Sequence, residues 1–135
     1  MLPVIHHISL GVIDIERAAE FYDTVMAALG YARVWTDLRP GQGGQAVGYG
    51  LQQGQDRLAV KQVAKDIVVT VPGFHVAFEA TSREAVRAFH AAALAAGGTD
   101  NGRPGLREEY GPNYYAAFVI DPEGHHLEAV CKKAS

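Results

Sequence analysis

Apolar and polar residues follow the same succession of periods in each half of the chain. Close to the N-terminus, Ile8, Leu10 and Val12 alternate with small or polar residues, which predicts a strand with one buried face. Apolar side chains then recur at helical spacing between residues 18 and 29. The second half repeats this order, with alternation over residues 74–80 and helical spacing after it. Each half is therefore predicted to form a strand, a helix and further strands.

The two halves also align residue by residue. When His7 is placed on His75, the register needs no gap through the strand, the helix start, the helix and the helix stop. The coinciding pairs are Leu10 with Phe78, Asp14 with Ser82, Glu16 with Glu84, Phe21 with Phe89, and Gly30 with Gly98. We interpret this as an internal duplication within one domain of residues 1–135, with module one at about 1–66 and module two at about 72–133.

The two predicted helices begin and end at residues suited to those positions. Asp14 and Ser82 can serve as N-caps, because their side-chain oxygens accept hydrogen bonds from otherwise unpaired backbone N–H groups. Gly30 and Gly97 follow the last turns, where glycine commonly ends a helix. The helical residues predicted to face the core are Ala18, Phe21, Tyr22, Val25 and Leu29, then Val86, Phe89, Ala93 and Leu94.

Further strand signals follow each helix. They are "YARVWTD", "AVGYGL" and "RLAVKQV" in module one, and "REEYG", "YYAAFVID" and "HLEAVCK" in module two. Between the second helix and "REEYG", the stretch "GGTDNGRPGL" is predicted to be a long, glycine-rich loop. The residues "DPEG", Asp121 to Gly124, predict a tight turn between the last two strands.

The duplication places two histidines at matching points. Side chains alternate along a strand, so His7 and His75 each face away from the apolar side of their strand, next to small residues. His6 falls on the other face and is interpreted as structural. Matched imidazoles in two related strands suggest a shared ligand, although a solvated or hydrogen-bonded histidine would explain each one singly.

Composition limits the classes of function. The 135 residues are 48% hydrophobic and 20% charged, with a formal net charge of −3, which gives no electrostatic footprint for nucleic acid or anionic membrane. No apolar run approaches the roughly 18–20 residues of a membrane span, and the N-terminus does not resemble a secretory signal. The single cysteine, Cys131, cannot form an intrachain disulfide. We expect a soluble, cytoplasmic protein.

The chain resembles the vicinal oxygen chelate superfamily, also called the glyoxalase/bleomycin resistance/extradiol dioxygenase superfamily, and specifically its small glyoxalase-like members. The resemblance rests on "HHISLGVIDIERAAEFYD", "FHVAFEATSREAVRAFHAAALAAGG" and "YYAAFVIDPEGHHLEAV", in that order. It implies an α+β fold of two tandem βαβββ modules whose curved mixed sheets enclose a cleft. It also implies a divalent metal in that cleft.

Family metal ligands come from the first and last strand of each module. Matched to this sequence, the resemblance implies His7, His75 and Glu128 as ligands, with Glu128 also the catalytic carboxylate. The fourth position falls on Leu58, Ala59 or Val60, none of which can bind a metal. Two histidines and one carboxylate form the facial triad of non-haem iron oxygenases, but zinc, iron, manganese and nickel all remain open.

Other polar residues are weaker candidates. Arg107, Tyr110 and Tyr115 are predicted to contact substrate, from a segment that also holds Glu109 and Tyr114. Each of them has an equally good structural explanation, in an ion pair or over an apolar edge. The remaining polar candidates are Glu79 as a surrogate base, Lys61 as a cation beside the vacant ligand position, His126 beside Glu128, His125 as a solvated strand entry, and His90 as a helix surface residue.

The leading hypothesis is a metal-dependent, glyoxalase-like lyase or isomerase acting on a small oxygen-bearing substrate. One alternative is an extradiol-type ring-cleaving dioxygenase. Another, from a different class, is a metal-free drug-binding protein similar to bleomycin resistance proteins. The resemblance also implies a homodimer, because modules in chains of this size often pair to complete a cleft, sometimes across subunits.

Overall fold

The computed structural model describes residues 2–52 and 54–135. Module one contains β1 (Ile8–Val12), α1 (Ile15–Ala28), β2 (Ala32–Asp37), β3 (Ala46–Gly50) and β4 (Asp56–Gln62). Module two contains β5 (His75–Glu79), α2 (Arg83–Ala95), β6 (Thr99–Leu106), a 3₁₀ helix (Glu108–Tyr110), β7 (Tyr115–Ile120) and β8 (His126–Cys131). The predicted α+β fold of two βαβββ modules is confirmed.

The two sheets have the same topology. Their strand orders are β1-β4-β3-β2 and β5-β8-β7-β6, and in each the first strand pairs in parallel with the last while the other pairs are antiparallel. One face of each sheet is covered by helices. The opposite face, here called the open face, carries the side chains that point away from that core.

Both helices start and stop as predicted. The Asp14 side chain accepts a hydrogen bond from the backbone N–H of Arg17, and the Ser82 side chain accepts one from Ala85. Gly30 and Gly97 follow the C-caps with φ of +88° and +99°, a left-handed conformation in which a side chain would be strained.

A single hydrophobic core joins the modules. The helices contact each other, and residues of both modules belong to the same buried cluster. The predicted helical core positions are buried except Leu94, which is 41% exposed, so its assignment was wrong. Among the described residues, no helix is long and apolar enough to cross a membrane.

The "DPEG" turn of module two connects the two modules. Its Asp121 carboxylate accepts a hydrogen bond of 2.5 Å from the buried Tyr22 hydroxyl of α1. The Glu123 carboxylate accepts bonds of 2.7 and 2.9 Å from the backbone N–H groups of Ile13 and Asp14, at the start of α1. His125 is buried and its Nε2 lies 2.7 Å from the Gly11 carbonyl, so the prediction of a solvated strand entry was wrong.

Two segments of module two were assigned incorrectly. The stretch predicted as a long loop contains the edge strand β6, and "REEYG" contains the 3₁₀ helix. Register shifts interrupt the pairing of β6 with β7 on either side of Gly102. Glycines and a proline obscure the alternation in sequence, yet both residue types are tolerated in a bulged edge strand.

Candidate functional site

The centre of the candidate site is a carboxylate on the open face of module two. In the parallel pairing of β5 with β8, Ala77 lies opposite Glu128 and His75 opposite His126. Because Leu127 and Ala129 point into the core, alternation turns Glu128 to the open face. Glu128 is nevertheless only 3% exposed, so neighbouring side chains must cover it.

Two side chains bind the Glu128 carboxylate directly. His75 Nε2 lies 2.9 Å from its Oε1, and the Tyr114 hydroxyl donates a short hydrogen bond to its Oε2. Partial burial, and next the bond to Glu128, raise the pKa of Tyr114 to about 12. Tyr114 therefore keeps its proton at neutral pH and acts there as a hydrogen-bond donor. The ring of Tyr110 packs against it at 5.3 Å between centroids.

An arginine and an aromatic ring form one side of this site. Phe118 lies opposite Glu128 in the β7–β8 pairing, with its ring centroid 6.4 Å from that of His75. The Arg107 guanidinium lies over the ring of Phe118, 5.4 Å from its centroid. It also donates hydrogen bonds to the carbonyls of Arg103 and Gly105, which fix the cation beside the site.

His7 lies apart from this group. It precedes β1, and its Nδ1 is 2.8 Å from Nδ1 of His6. Within residues 2–52 and 54–135, the only three His, Cys, Asp or Glu side chains close enough to share one ion are His6, His7 and Asp56. The structure therefore brings His75 and Glu128 together but does not bring His7 to them within a single chain.

The sheet register identifies the residue of module one that corresponds to Glu128 of module two. Ser9 lies opposite Ala59 in the β1–β4 pairing, as Ala77 lies opposite Glu128 in module two. Of the three residues considered from the sequence, Ala59 is thus the counterpart of Glu128. Its methyl group cannot bind a metal, so module one offers no carboxylate at this point.

Each open face carries an aromatic ring packed over a glycine, but the ring is on the edge strand in module one and on the inner strand in module two. In module one the indole of Trp35 on β2 lies over Gly48 on β3, so close that a Cβ at Gly48 would be 2.2 Å from Nε1. In module two the ring lies on the inner strand as Phe118, and the glycine, Gly102, lies on the edge strand. Each module therefore presents one ring over one glycine, on its open face.

A family model for the glyoxalase/bleomycin resistance protein/dioxygenase superfamily matches residues 4–129. The chain belongs to this superfamily. Its sequence motifs and its duplicated βαβββ modules agree with that assignment.

Solved structures of the superfamily are similar over nearly the whole chain. A glyoxalase/bleomycin resistance protein from Albidiferax ferrireducens is 28% identical with a TM-score of 0.77, covering 97% of this chain and 100% of that chain. The fosfomycin resistance protein FosX from Listeria monocytogenes is 17% identical with a TM-score of 0.65, covering 99% and 97%.

A glyoxalase I mutant from Zea mays is 21% identical with a TM-score of 0.70, and the match covers 93% of this chain and 46% of that one. The likeness to this protein and to FosX shows the fold alone. No curated protein sequence matches this chain.

Members of the superfamily commonly bind a divalent metal, and the donor set here fits one in part. Donors bonded to one ion at about 2.0–2.2 Å, at adjacent positions, lie roughly 3 Å apart. The separation of 2.9 Å between His75 Nε2 and Glu128 Oε1 meets this condition. The second Glu128 oxygen, Oε2, is not part of this donor pair, because it accepts the hydrogen bond from the Tyr114 hydroxyl.

One residue predicted to contact substrate, Tyr115, lies on the opposite side of its sheet from the candidate site. Tyr115 packs on the helix side of its sheet, where its hydroxyl accepts a hydrogen bond of 3.1 Å from Arg87 and its ring lies under Arg83. Tyr115 is therefore remote from the open face, where it was expected to contact substrate, and Tyr114 lies on that face instead. Alternation counted back from Phe118 through residue 116 would have identified Tyr114 from the sequence.

Of three further candidates, one is hydrogen-bonded to a neighbouring acid and two are exposed to solvent. His90 Nε2 lies 2.8 Å from Asp100 Oδ1, so it joins α2 to β6 at the surface. His126 is exposed on the same face as Glu128, and Lys61 is exposed beside the Ala59 position.

Proposed function

We propose that this protein is a metal-dependent enzyme of the superfamily, a glyoxalase-like lyase or isomerase acting on a small oxygen-bearing substrate. The observation that carries the proposal is the pair of His75 and Glu128, placed at metal-ligand separation on an open sheet face. We further propose that His7 of a second copy supplies the third ligand, since His7 of the same chain lies elsewhere.

Exposed apolar side chains support a homodimer. Two such groups flank the proposed ligands: Leu2, Val4 and Ile5 before His7, and Val68, Val71 and Phe74 before His75. Apolar patches of this kind commonly mark protein interfaces. A copy that covers both groups would bring the two ligand-bearing segments near each other.

The chemistry follows from which groups surround an oxygen-bearing substrate. A divalent ion held by these ligands would act as a Lewis acid toward negative charge on a substrate oxygen. Glu128 is the carboxylate that we propose to hold or move a proton, and Tyr114 orients it by donating to its second oxygen. Arg107 offers a fixed positive charge beside Phe118, which favours an anionic or polar substrate group.

An extradiol-type dioxygenase is the second candidate. It is favoured by Ala59, because this residue leaves the ligand set at two histidines and one carboxylate, the arrangement of non-haem Fe(II) oxygenases. A metal-free drug-binding protein is the third, and the exposed Trp35, which packs over Gly48, is the feature that favours it. For all three candidate functions we propose that the protein is in the reducing cytosol, in keeping with the single free cysteine, Cys131.

The test of the metal ligands is elemental analysis of tag-free protein purified without chelator. Every protein in this test carries Asp56→Asn, which removes a ligand-type side chain from the His6, His7 and Asp56 cluster, so that the metal measured is that of the proposed site. In this background we expect stoichiometric metal, and its loss when His75→Ala or Glu128→Ala is added, with His90→Ala as the matched control. An Asp56→Asn protein that takes up no metal when supplied with zinc, iron, manganese or nickel would overturn the enzyme proposal in favour of the binding protein.

Complementation tests the shared site. In the same Asp56→Asn background, His7→Ala and Glu128→Ala each destroy both sites of their own homodimer, but a mixed dimer retains one intact site, made of His7 from one chain and His75 with Glu128 from the other. Metal binding recovered on mixing the two inactive proteins is the expected result. No recovery, in a mixture shown to exchange subunits, would contradict a site between chains.

A further inference from the structure

His6, His7 and Asp56 form a second cluster of ligand-type side chains, outside the His75–Glu128 site. Their ligand atoms all lie within 4.8 Å of one another, and all come from module one. We infer that these three residues form a divalent-metal site complete within a single chain. Its ion would be a nickel- or cobalt-like cation with imidazole and carboxylate ligands.

The sheet holds the three residues together. The parallel pairing places Ile8 of β1 opposite Leu58 of β4, and the same register continued backwards brings His6 level with Asp56. An Arg57 guanidinium N–H donates a 2.8 Å hydrogen bond to the His6 carbonyl. That bond fixes the backbone at the doubled histidine and directs the arginine's charge to a carbonyl.

The spacing of the nitrogens indicates which ions suit the site. The two Nδ1 atoms are 2.8 Å apart, which for bonds of about 2.1 Å gives an angle of roughly 85° at the ion. This angle is close to that of adjacent positions in six-coordinate geometry and far from the tetrahedral angle that structural zinc sites adopt. The two imidazole rings are edge-to-face, with 82° between their planes.

The exposure of the site agrees with this geometry. His6 and His7 are exposed and Asp56 is half-buried, so water can fill the positions that three protein ligands leave open. Nickel and cobalt bind imidazole well, and affinity for such sites rises along the series from manganese to nickel.

The two sites compete for one residue. This step rests on the proposed function: His7 cannot serve the single-chain site and also complete the site of a partner copy. Metal bound at His6, His7 and Asp56 would then hold His7 away from the dimeric site, and mutation of His6 or Asp56 would free it.

The experiment is calorimetric titration of the full-length, tag-free chain with NiCl₂. The background is the double variant His75→Ala/Glu128→Gln, in which the dimeric site is destroyed. We expect this protein to retain Ni²⁺ binding close to stoichiometric, and Asp56→Asn or His6→Ala in the same background to weaken it by at least about tenfold. Asp66→Asn and His90→Ala are the matched controls for a lost carboxylate and a lost imidazole, and circular dichroism checks that every variant is folded.

Two outcomes would overturn the inference. One is a double variant that binds no Ni²⁺ at all; the other is an Asp56→Asn or His6→Ala protein that binds as well as its background. Both leave the proposed function intact, because that proposal is tested by complementation between His7→Ala and Glu128→Ala. Conversely, failed complementation with Ni²⁺ retained in the double variant removes the dimeric site and keeps the single-chain one.

Discussion

The open faces of the two sheets depend on glycines that leave room for aromatic rings. A methyl group at Gly48 would lie 2.2 Å from Trp35 Nε1, well inside van der Waals contact. The indole can relieve this only by moving, because the Gly48 backbone is fixed between β2 and β4.

We therefore expect Gly48→Ala to displace Trp35 toward solvent and to lower the free energy of unfolding by about 1–3 kcal/mol, the usual cost of overpacking. Trp35 is the only tryptophan, so its fluorescence should shift to longer wavelength. Gly43→Ala, at a loop glycine with nothing within 4 Å, is the control. Unchanged emission in Gly48→Ala would argue against the packing described.

Tyr22 contributes to the loss of stability at alkaline pH. Burial, and next the negative charge of Asp121, raise the pKa of Tyr22 well above its usual value. Below about pH 10 both the folded and the unfolded chain hold this proton, and stability is unaffected. Above it the unfolded chain loses the proton while the folded one keeps it, so stability falls as pH rises.

Urea unfolding at pH 8 and pH 10.5 should show this loss, with a smaller difference in Tyr22→Phe than in the wild type. The variant should also be less stable at pH 8 by about 1–3 kcal/mol, because the buried Asp121 carboxylate loses its donor. Tyr110→Phe, at an exposed hydroxyl, is the control. Equal pH dependence in Tyr22→Phe and wild type would show that other groups govern the alkaline loss.

At the scale of elements, the turn before β8 is bound to the start of α1. Glu123 accepts two backbone N–H groups there, one of them from the N-cap residue Asp14. A carboxylate at this end of a helix satisfies free donors and interacts favourably with the helix dipole. The turn thus fixes one module on the other.

Glu123→Gln should lower the free energy of unfolding by about 1–2 kcal/mol, since the amide is neutral and offers a single acceptor. Thermal unfolding measures this, with Glu109→Gln on the exposed 3₁₀ helix as the control. A melting temperature that drops no more than in the control would mean that the turn contributes little to holding the modules together.

The same elements show where sequence reasoning succeeded and where it failed. The caps of both helices and the strands with clean alternation were predicted, because those signals are local and strong. β6 was missed because Gly102, Pro104 and Gly105 suggest a loop, while only pairing with β7 makes the segment a strand. Leu94 was expected in the core since its helical spacing fits, but its side chain is not covered by another element.

At the scale of the whole molecule, the apolar residues before His7 and His75 lack a cover among the described residues. If a second copy buries them, a charge placed there should weaken the dimer. Val68→Lys is expected to raise the dimer dissociation constant by at least about tenfold, equivalent to 1.4 kcal/mol. Light scattering across a dilution series measures this, with Leu94→Lys on α2 as a matched exposed-apolar control; equal effects of the two changes would contradict an interface at Val68.

The duplication and the two modules follow from the sequence alone, because the spacing of apolar residues repeats in each half of the chain. The position of Glu128 on the last strand follows from a motif of adjacent residues. The sequence also predicted that one position of the expected ligand set is occupied by a residue that cannot bind metal. The structure was needed to identify this residue as Ala59 and to show that His7 lies with His6 and Asp56. The reason is physical: strand register and the spatial relation of the two modules depend on contacts between residues far apart in the chain, which no local pattern encodes.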